Sequence, residues 1–209
     1  MFRTRLPVLA TLALLAAPAH AQLYAGGAIG QSKASLDSGI RTAELLGLGF
    51  DDAGTHADER DTAYRAFVGY RLHRYFAAEI GYTDLGSFTL TSNVAPSGQL
   101  NSRTRISGAE LSILGLLPIG ERFTAFARAG VLDAHVRTSY GGSGSVVLFD
   151  NVDSSSHKSA AVYGIGGWFD VLPRWSVRAE WTTYRRIHDE LAGNDLRPDA
   201  WMIGASYRF

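Results

Sequence analysis

Beyond residue 22 the chain alternates apolar and polar side chains with a period of two, the signature of β-strands with one face in an apolar environment. The stretch 175–184 shows it best. Trp175, Val177, Ala179, Trp181 and Thr183 share one face, and Ser176, Arg178, Glu180, Thr182 and Tyr184 share the other. The same pattern sets Tyr64, Ala66, Val68 and Tyr70 against Arg65, Phe67, Gly69 and Arg71, and Phe76, Ala78, Ile80 and Tyr82 against Ala77, Glu79, Gly81 and Thr83. Ala109, Leu111, Ile113 and Leu117 oppose Gly108, Glu110, Ser112 and Leu114, while Phe123, Ala125, Ala127, Ala129 and Val131 oppose Phe126, Arg128 and Gly130. The last strand sets Trp201, Ile203, Ala205, Tyr207 and Phe209 against Met202, Gly204, Ser206 and Arg208. Two weaker, Gly-rich strands at 23–33 and 160–171 complete a predicted set of eight.

The connections alternate as well. Tight turns are predicted at 73–74, 118–121 and 172–174, and long polar loops at 34–61, 86–102, 138–156 and 186–197. Short turns alternating with long loops over eight antiparallel strands predict an all-β, up-and-down transmembrane barrel, with short periplasmic turns and long extracellular loops. Both termini then fall on the short-turn side. The apolar residues Leu45, Leu46, Leu48 and Phe50 of the first loop are read as an extension of the wall.

Residues 1–21 read as a cleaved secretory signal peptide. Arg3 and Arg5 precede an apolar stretch at 6–19, and Ala19-His20-Ala21 is a small-x-small cleavage site. That stretch is shorter than the roughly 20 residues needed to cross about 30 Å of hydrocarbon as a helix. Residues 22–209 form the barrel domain on this reading. With 46% hydrophobic and 19% charged residues the chain is too apolar for disorder. Its 20 basic and 20 acidic residues leave no basic field, so no nucleic-acid partner is expected. The absence of Cys excludes a disulfide framework, a thiolate metal site and a cysteine nucleophile.

Periodicity alone leaves open which face meets the apolar phase, because a soluble barrel would bury the Trp-rich face instead. Three features favour lipid outside. Trp175, Trp181, Trp201, Tyr64, Tyr70, Phe76 and Phe209 would overfill an eight-stranded interior. Tyr70, Phe76, Phe123, Phe169, Trp175, Tyr207 and Phe209 gather near the short turns, as an interfacial belt does. The opposite face holds opposite charges among many glycines, which suits a narrow lumen. Lipid also demands closure, since an unpaired backbone group in hydrocarbon costs several kcal/mol.

The sequence resembles the transmembrane domain of the OmpA-like outer-membrane family. The resemblance rests on Tyr-Ala-Gly-Gly-Ala-Ile-Gly at 24–30, Phe-Val-Gly-Tyr-Arg-Leu at 67–72 and Ala-Glu-Ile-Gly-Tyr-Thr-Asp-Leu-Gly at 78–86. It continues through residues 111–119, Phe-Ala-Arg-Ala-Gly at 126–130, Arg-Ala-Glu-Trp at 178–181, Arg-Pro-Asp at 197–199 and Ile-Gly-Ala-Ser-Tyr-Arg-Phe at 203–209. It implies an outer-membrane location and passage through periplasmic chaperones and the outer-membrane assembly machinery, with Tyr207 and Phe209 as the assembly signal. Larger members add a periplasmic peptidoglycan-binding domain; this sequence stops at the eighth strand and resembles the barrel-only members, which include adhesins.

The inward rows supply Arg65, Arg71, Glu79, Glu110, Arg128, Arg178, Glu180 and Arg208, which are expected to pair because an isolated charge there would be prohibitive. The resemblance places Glu79 and Arg178 where the family carries a luminal salt bridge associated with gating of small conductances. Leu114 and Trp168 stand where such networks often have a Lys and an acid, which argues for a structural plug of ion pairs over a gate. Arg103 and Arg105, near the predicted outer rim, are candidate contacts for lipopolysaccharide phosphates. No cofactor, metal or catalytic site is expected. His56, His73, His135 and His188 lack the spacing to Ser that barrel deacylases show, and the Ser154-Ser155-Ser156-His157 run reads as a solvated linker. The function expected is a structural role in the envelope, with a narrow gated pore as an extension of it; adhesion through the loops is the alternative, and a lipid A-modifying enzyme a lesser one.

Overall fold

The computed structural model describes residues 23–34, 52–58, 60–94, 98–144, 154–185, 187–189 and 194–209. The expected signal peptide at 1–21 and the apolar stretch 40–50 of the first loop lie outside them.

Eight strands form the wall: β1 (Leu23–Ala34), β3 (Arg60–His73), β4 (Phe76–Val94), β5 (Gly98–Ile119), β6 (Phe123–Gly144), β7 (Ser154–Asp170), β8 (Trp175–Arg185) and β11 (Pro198–Arg208). Each pairs antiparallel with its sequence neighbour in the wall, and β11 returns to β1, with Tyr24 opposite Arg208 and Ala34 opposite Pro198. The ring therefore closes without an edge, the only β solution stable in hydrocarbon. The short strand β2 (Asp52–Asp58) runs beside the outer end of β4, and β9 (Ile187–Asp189) pairs with β10 (Asn194–Leu196). Phe209 N–H donates to the Leu23 carbonyl at 3.0 Å, so the end of the chain meets the start of β1 on the short-turn side.

Two of the long loops expected from the sequence are mostly strand. In the first, β4 runs to Val94 and β5 starts at Gly98; in the second, β6 reaches Gly144 and β7 begins at Ser154. Their ladders continue in register, for example Arg103 opposite Ser139. The physical reason is that backbone pairing does not depend on which solvent the side chains meet. Above the lipid no apolar face is required, so the period-two signal fades while β-prone Thr and aromatic residues sustain the ladder. β4 bends there at a bulge between Asp84 and Ser87. Gly86 adopts φ 81°, and its nitrogen donates to Asp84 Oδ1 at 2.9 Å. Asp61 on β3 clamps the bulge by accepting from Ser87 N–H at 2.6 Å.

The outer surface is a belt of exposed Ile29, Ile80, Leu111, Ile113, Leu117, Val131, Ile165 and Ile203. Tyr70, Phe76, Phe123, Phe169 and Trp175 rim it on the short-turn side, and Tyr64, Tyr82, Tyr163 and Trp201 on the other. Trp201 is 68% exposed. An apolar face of this extent encircling the molecule is one that lipid covers, not water.

The interior is stratified. Toward the short turns lie Tyr24, Phe67, Ala77, Leu114, Leu116, Phe126 and Trp168. Toward the outside lie Leu85, Phe88, Ile106, Leu132, Val136, Val162, Tyr184 and Met202, among others. A layer of charge sits between them. Glycines make room for the rings: a Cβ at Gly69 would stand 2.2 Å from Tyr24 Cζ, and one at Gly166 would stand 2.4 Å from Phe126 Cζ.

Candidate functional site

The charged layer is built from alternate positions of five strands: Arg65 on β3, Glu79 on β4, Glu110 on β5, Arg128 on β6, and Arg178 with Glu180 on β8. A strand places every second residue inward, and the closed ring aims these six at one point. Glu79 lies 3.0 Å from Arg65, 2.9 Å from Arg128 and 2.7 Å from Arg178. Glu110 lies 3.1 Å from both Arg65 and Arg128. Glu180 lies 2.9 Å from Arg128, 2.7 Å from Arg178 and 3.6 Å from Arg65. Three guanidinium and three carboxylate groups thus form one neutral cluster, each side chain at most 1% exposed. Neutral side chains complete the shell. Tyr24 OH donates to Glu79 at 2.9 Å, Thr83 Oγ1 to Glu110 at 3.0 Å and Ser112 Oγ to Glu110 at 2.7 Å.

Arg178 is also caged by rings. Its guanidinium carbon lies 4.6 Å from the centroids of both Phe67 and Phe126 and 5.7 Å from that of Trp168. Trp168 in turn packs on Phe126 at 5.4 Å and on Tyr24 at 5.6 Å. This aromatic floor is the part of the site that sequence reasoning missed. Its only signal was four rings on the charge-bearing face, two of which, Tyr24 and Phe126, meet the glycines Gly69 and Gly166.

Arg71 and Arg208 are inward residues that stand apart from the cluster. Arg71 sits 5.2 Å from the Trp168 centroid, on the far side of the aromatic floor, and Arg208 lies 3.2 Å from Asp170 near the short-turn mouth. Arg71 therefore does not belong with the six as expected, because the floor separates their levels. Leu114 and Trp168 are both buried in that floor. Tyr207 packs between Trp175 at 5.1 Å and Phe209 at 5.2 Å and accepts from Arg174 at 3.1 Å. Arg103 and Arg105 point outward from β5 above the belt, Arg105 paired with Asp84 at 2.6 Å.

Buried apolar layers lie above and below the cluster. These charge-assisted hydrogen bonds link five strands across the lumen. His157 faces His135 at 3.2 Å and His73 packs on Tyr75 at 5.5 Å, and no group of three metal-ligating side chains occurs among the described residues. The side chains of His56 and His188 lie outside those described.

A closed eight-stranded wall, apolar outside and ion-paired within, defines a small outer-membrane β-barrel. The chain belongs to the family of OmpA-like transmembrane domains, which it matches over residues 18–209, and it is an outer-membrane protein. It is 28% identical over 207 residues to outer membrane protein A of Klebsiella pneumoniae, covering 96% of this chain and 54% of that protein. It is 26% identical over 209 residues to outer membrane protein P5 of Haemophilus influenzae, covering 93% of this chain and 55% of that protein. The chain thus spans about half the length of these relatives. Among solved structures, Neisserial surface protein A shares the fold with a TM-score of 0.54 at 14% identity, over 90% of this chain and 97% of that one. Ail, the attachment invasion locus protein of Yersinia pestis, solved with the heparin analogue sucrose octasulfate, gives 0.50 at 14%, over 90% and 99%.

Proposed function

We propose that this barrel is a non-enzymatic structural element of the outer membrane, a rigid plugged cylinder rather than a pore. The observation that carries this reading is the interior. The six-residue ion cluster is at most 1% exposed and lies between an aromatic floor and an apolar upper layer. Ion passage would need the cluster to open while buried charges lose their partners, at a cost of several kcal/mol each. Reconstitution in planar bilayers tests it. Silent membranes are expected from wild type; resolved conductance steps that Glu79→Gln alters would overturn the plugged reading in favour of a gate.

A second reading, adhesion at the cell surface, is favoured by the strands β4 to β7, which rise above the belt as paired sheet and present a firm surface outward. Deleting residues 88–103 should abolish attachment to host cells or matrix while leaving the barrel folded; unchanged attachment would remove this reading. Passage through periplasmic chaperones and the assembly machinery, with Tyr207 and Phe209 as the signal, accompanies either role.

A further inference from the structure

On the outward face of β5, β6 and β7 the apolar belt stops at Ala109, Val131 and Ala161; Ser107, Asp133 and Ser159 come next, and a basic patch lies above them. The ladders place its members side by side. Arg105 stands opposite Arg137, Ser107 opposite His135, and His135 opposite His157, with Arg103 one outward position further along β5. Arg103, Arg105, Arg137 and His157 are exposed and His135 is half-buried.

Two like charges directly opposite on one sheet face repel each other. Asp84, 2.6 Å from Arg105, and Asp133, next to His135 on the same face, offset two of the three arginines and leave the patch positive. Arg137 is held in place from behind. Its Nε donates to His135 Nε2 at 3.0 Å, which makes His135 Nδ1 the donor to His157 Nε2 at 3.2 Å. That relay occupies Nε and leaves both terminal amino groups of Arg137 without a partner among the described residues, a fork suited to an oxyanion.

We propose that this patch is a clamp for the phosphate groups of an outer-leaflet glycolipid, with Arg105 and Arg137 as its centre, Arg103 as a flank and His135 as the positioning residue for Arg137. It rests on the outer-membrane placement of the chain. The choice of lipid over free phosphate follows from position: the patch faces sideways from the wall, two to three outward positions above side chains that meet acyl tails, where headgroups lie.

The full barrel, refolded in vesicles containing diphosphoryl lipid A and extracted in mild detergent, is weighed by native mass spectrometry for retained lipid. Parallel samples contain dephosphorylated lipid A, or phosphatidylglycerol with inorganic phosphate in the buffer. Wild type should retain diphosphoryl lipid A and neither alternative. The double variant Arg105→Gln/Arg137→Gln should retain less by about tenfold or more. Arg174→Gln, which removes a charge at the opposite mouth, should retain as much as wild type. Arg137→Lys should fall between, since it keeps the charge and loses the fork. Each variant is first shown to be folded by its altered mobility on unheated gels. A folded double variant with undiminished retention, or equal retention of dephosphorylated lipid A, overturns the clamp alone; failure of wild type to fold into vesicles would instead overturn the membrane placement.

Discussion

The Tyr24 hydroxyl on β1 donates to Glu79 Oε1 on β4 at 2.9 Å, and Glu79 in turn accepts from Arg178 on β8 at 2.7 Å. Three strands that are not mutual neighbours are thereby tied across the lumen. Truncating Glu79 leaves three arginines facing two carboxylates with no water to replace the lost charge. Glu79→Ala is expected to lower unfolding stability by about 3–5 kcal/mol. Tyr24→Phe, which removes one bond to a charged acceptor, should cost about 1.5–3 kcal/mol. Urea unfolding of vesicle-embedded protein reads both, and a Glu79→Ala loss no larger than that of Tyr24→Phe would mean the cluster is not a unit.

Arg178 is fixed by shape as well as charge. Its planar group bonds Glu79 and Glu180 and lies near the faces of Phe67 and Phe126. Arg178→Lys preserves the charge but not the fork or the stacking, and should destabilise the barrel by about 1–3 kcal/mol. If the lysine variant unfolds together with wild type, the cage contributes only a point charge.

Gly69 and Tyr24 occupy one space. A methyl at Gly69 meets the phenol ring at 2.2 Å, so Gly69→Ala should cost about 1–3 kcal/mol through overpacking. Shrinking the ring relieves the clash: Gly69→Ala should cost markedly less in a Tyr24→Ala background than in wild type. Additive losses in the double-mutant cycle would contradict the contact.

Ile113 is 61% exposed on β5 near the middle of the belt. Ile113→Arg should destabilise the folded barrel in bilayers by about 2–4 kcal/mol, the range for a cation on the lipid face at the midplane. The same change at Ile119, beside the short turn, should cost far less. Equal penalties at the two sites would deny the belt its depth.

Much of this was legible in the sequence. Period two is enforced wherever one face meets lipid and the other a packed lumen, so the strand faces, the closed eight-stranded ring and the tight turns could be read from residues such as Trp175, Val177, Arg178 and Glu180. Strand ends could not, because above the belt no apolar face is required, and residues 87–94 and 98–102 look like a loop while they pair. The inward direction of Arg65, Glu79, Glu110, Arg128, Arg178 and Glu180 was readable, but height within the barrel was not. Height depends on stagger between strands, and stagger is what separates Arg71 from the six and brings Trp168 beneath Arg178. The second aromatic girdle, at Tyr64, Tyr82, Tyr163 and Trp201, lies scattered along the sequence and becomes a ring only when the strands are aligned.

The orientation of the wall is best tested with its tryptophans, because Trp168 is 5% exposed in the lumen while Trp201 is 68% exposed on the belt. Single-tryptophan versions are folded into vesicles whose acyl chains carry bromine, and fluorescence is compared with unbrominated vesicles. Strong quenching of Trp201 and little of Trp168 is the expected result; quenching of Trp168 equal to or greater than that of Trp201 would contradict a barrel with its apolar face in lipid and its ion pairs within.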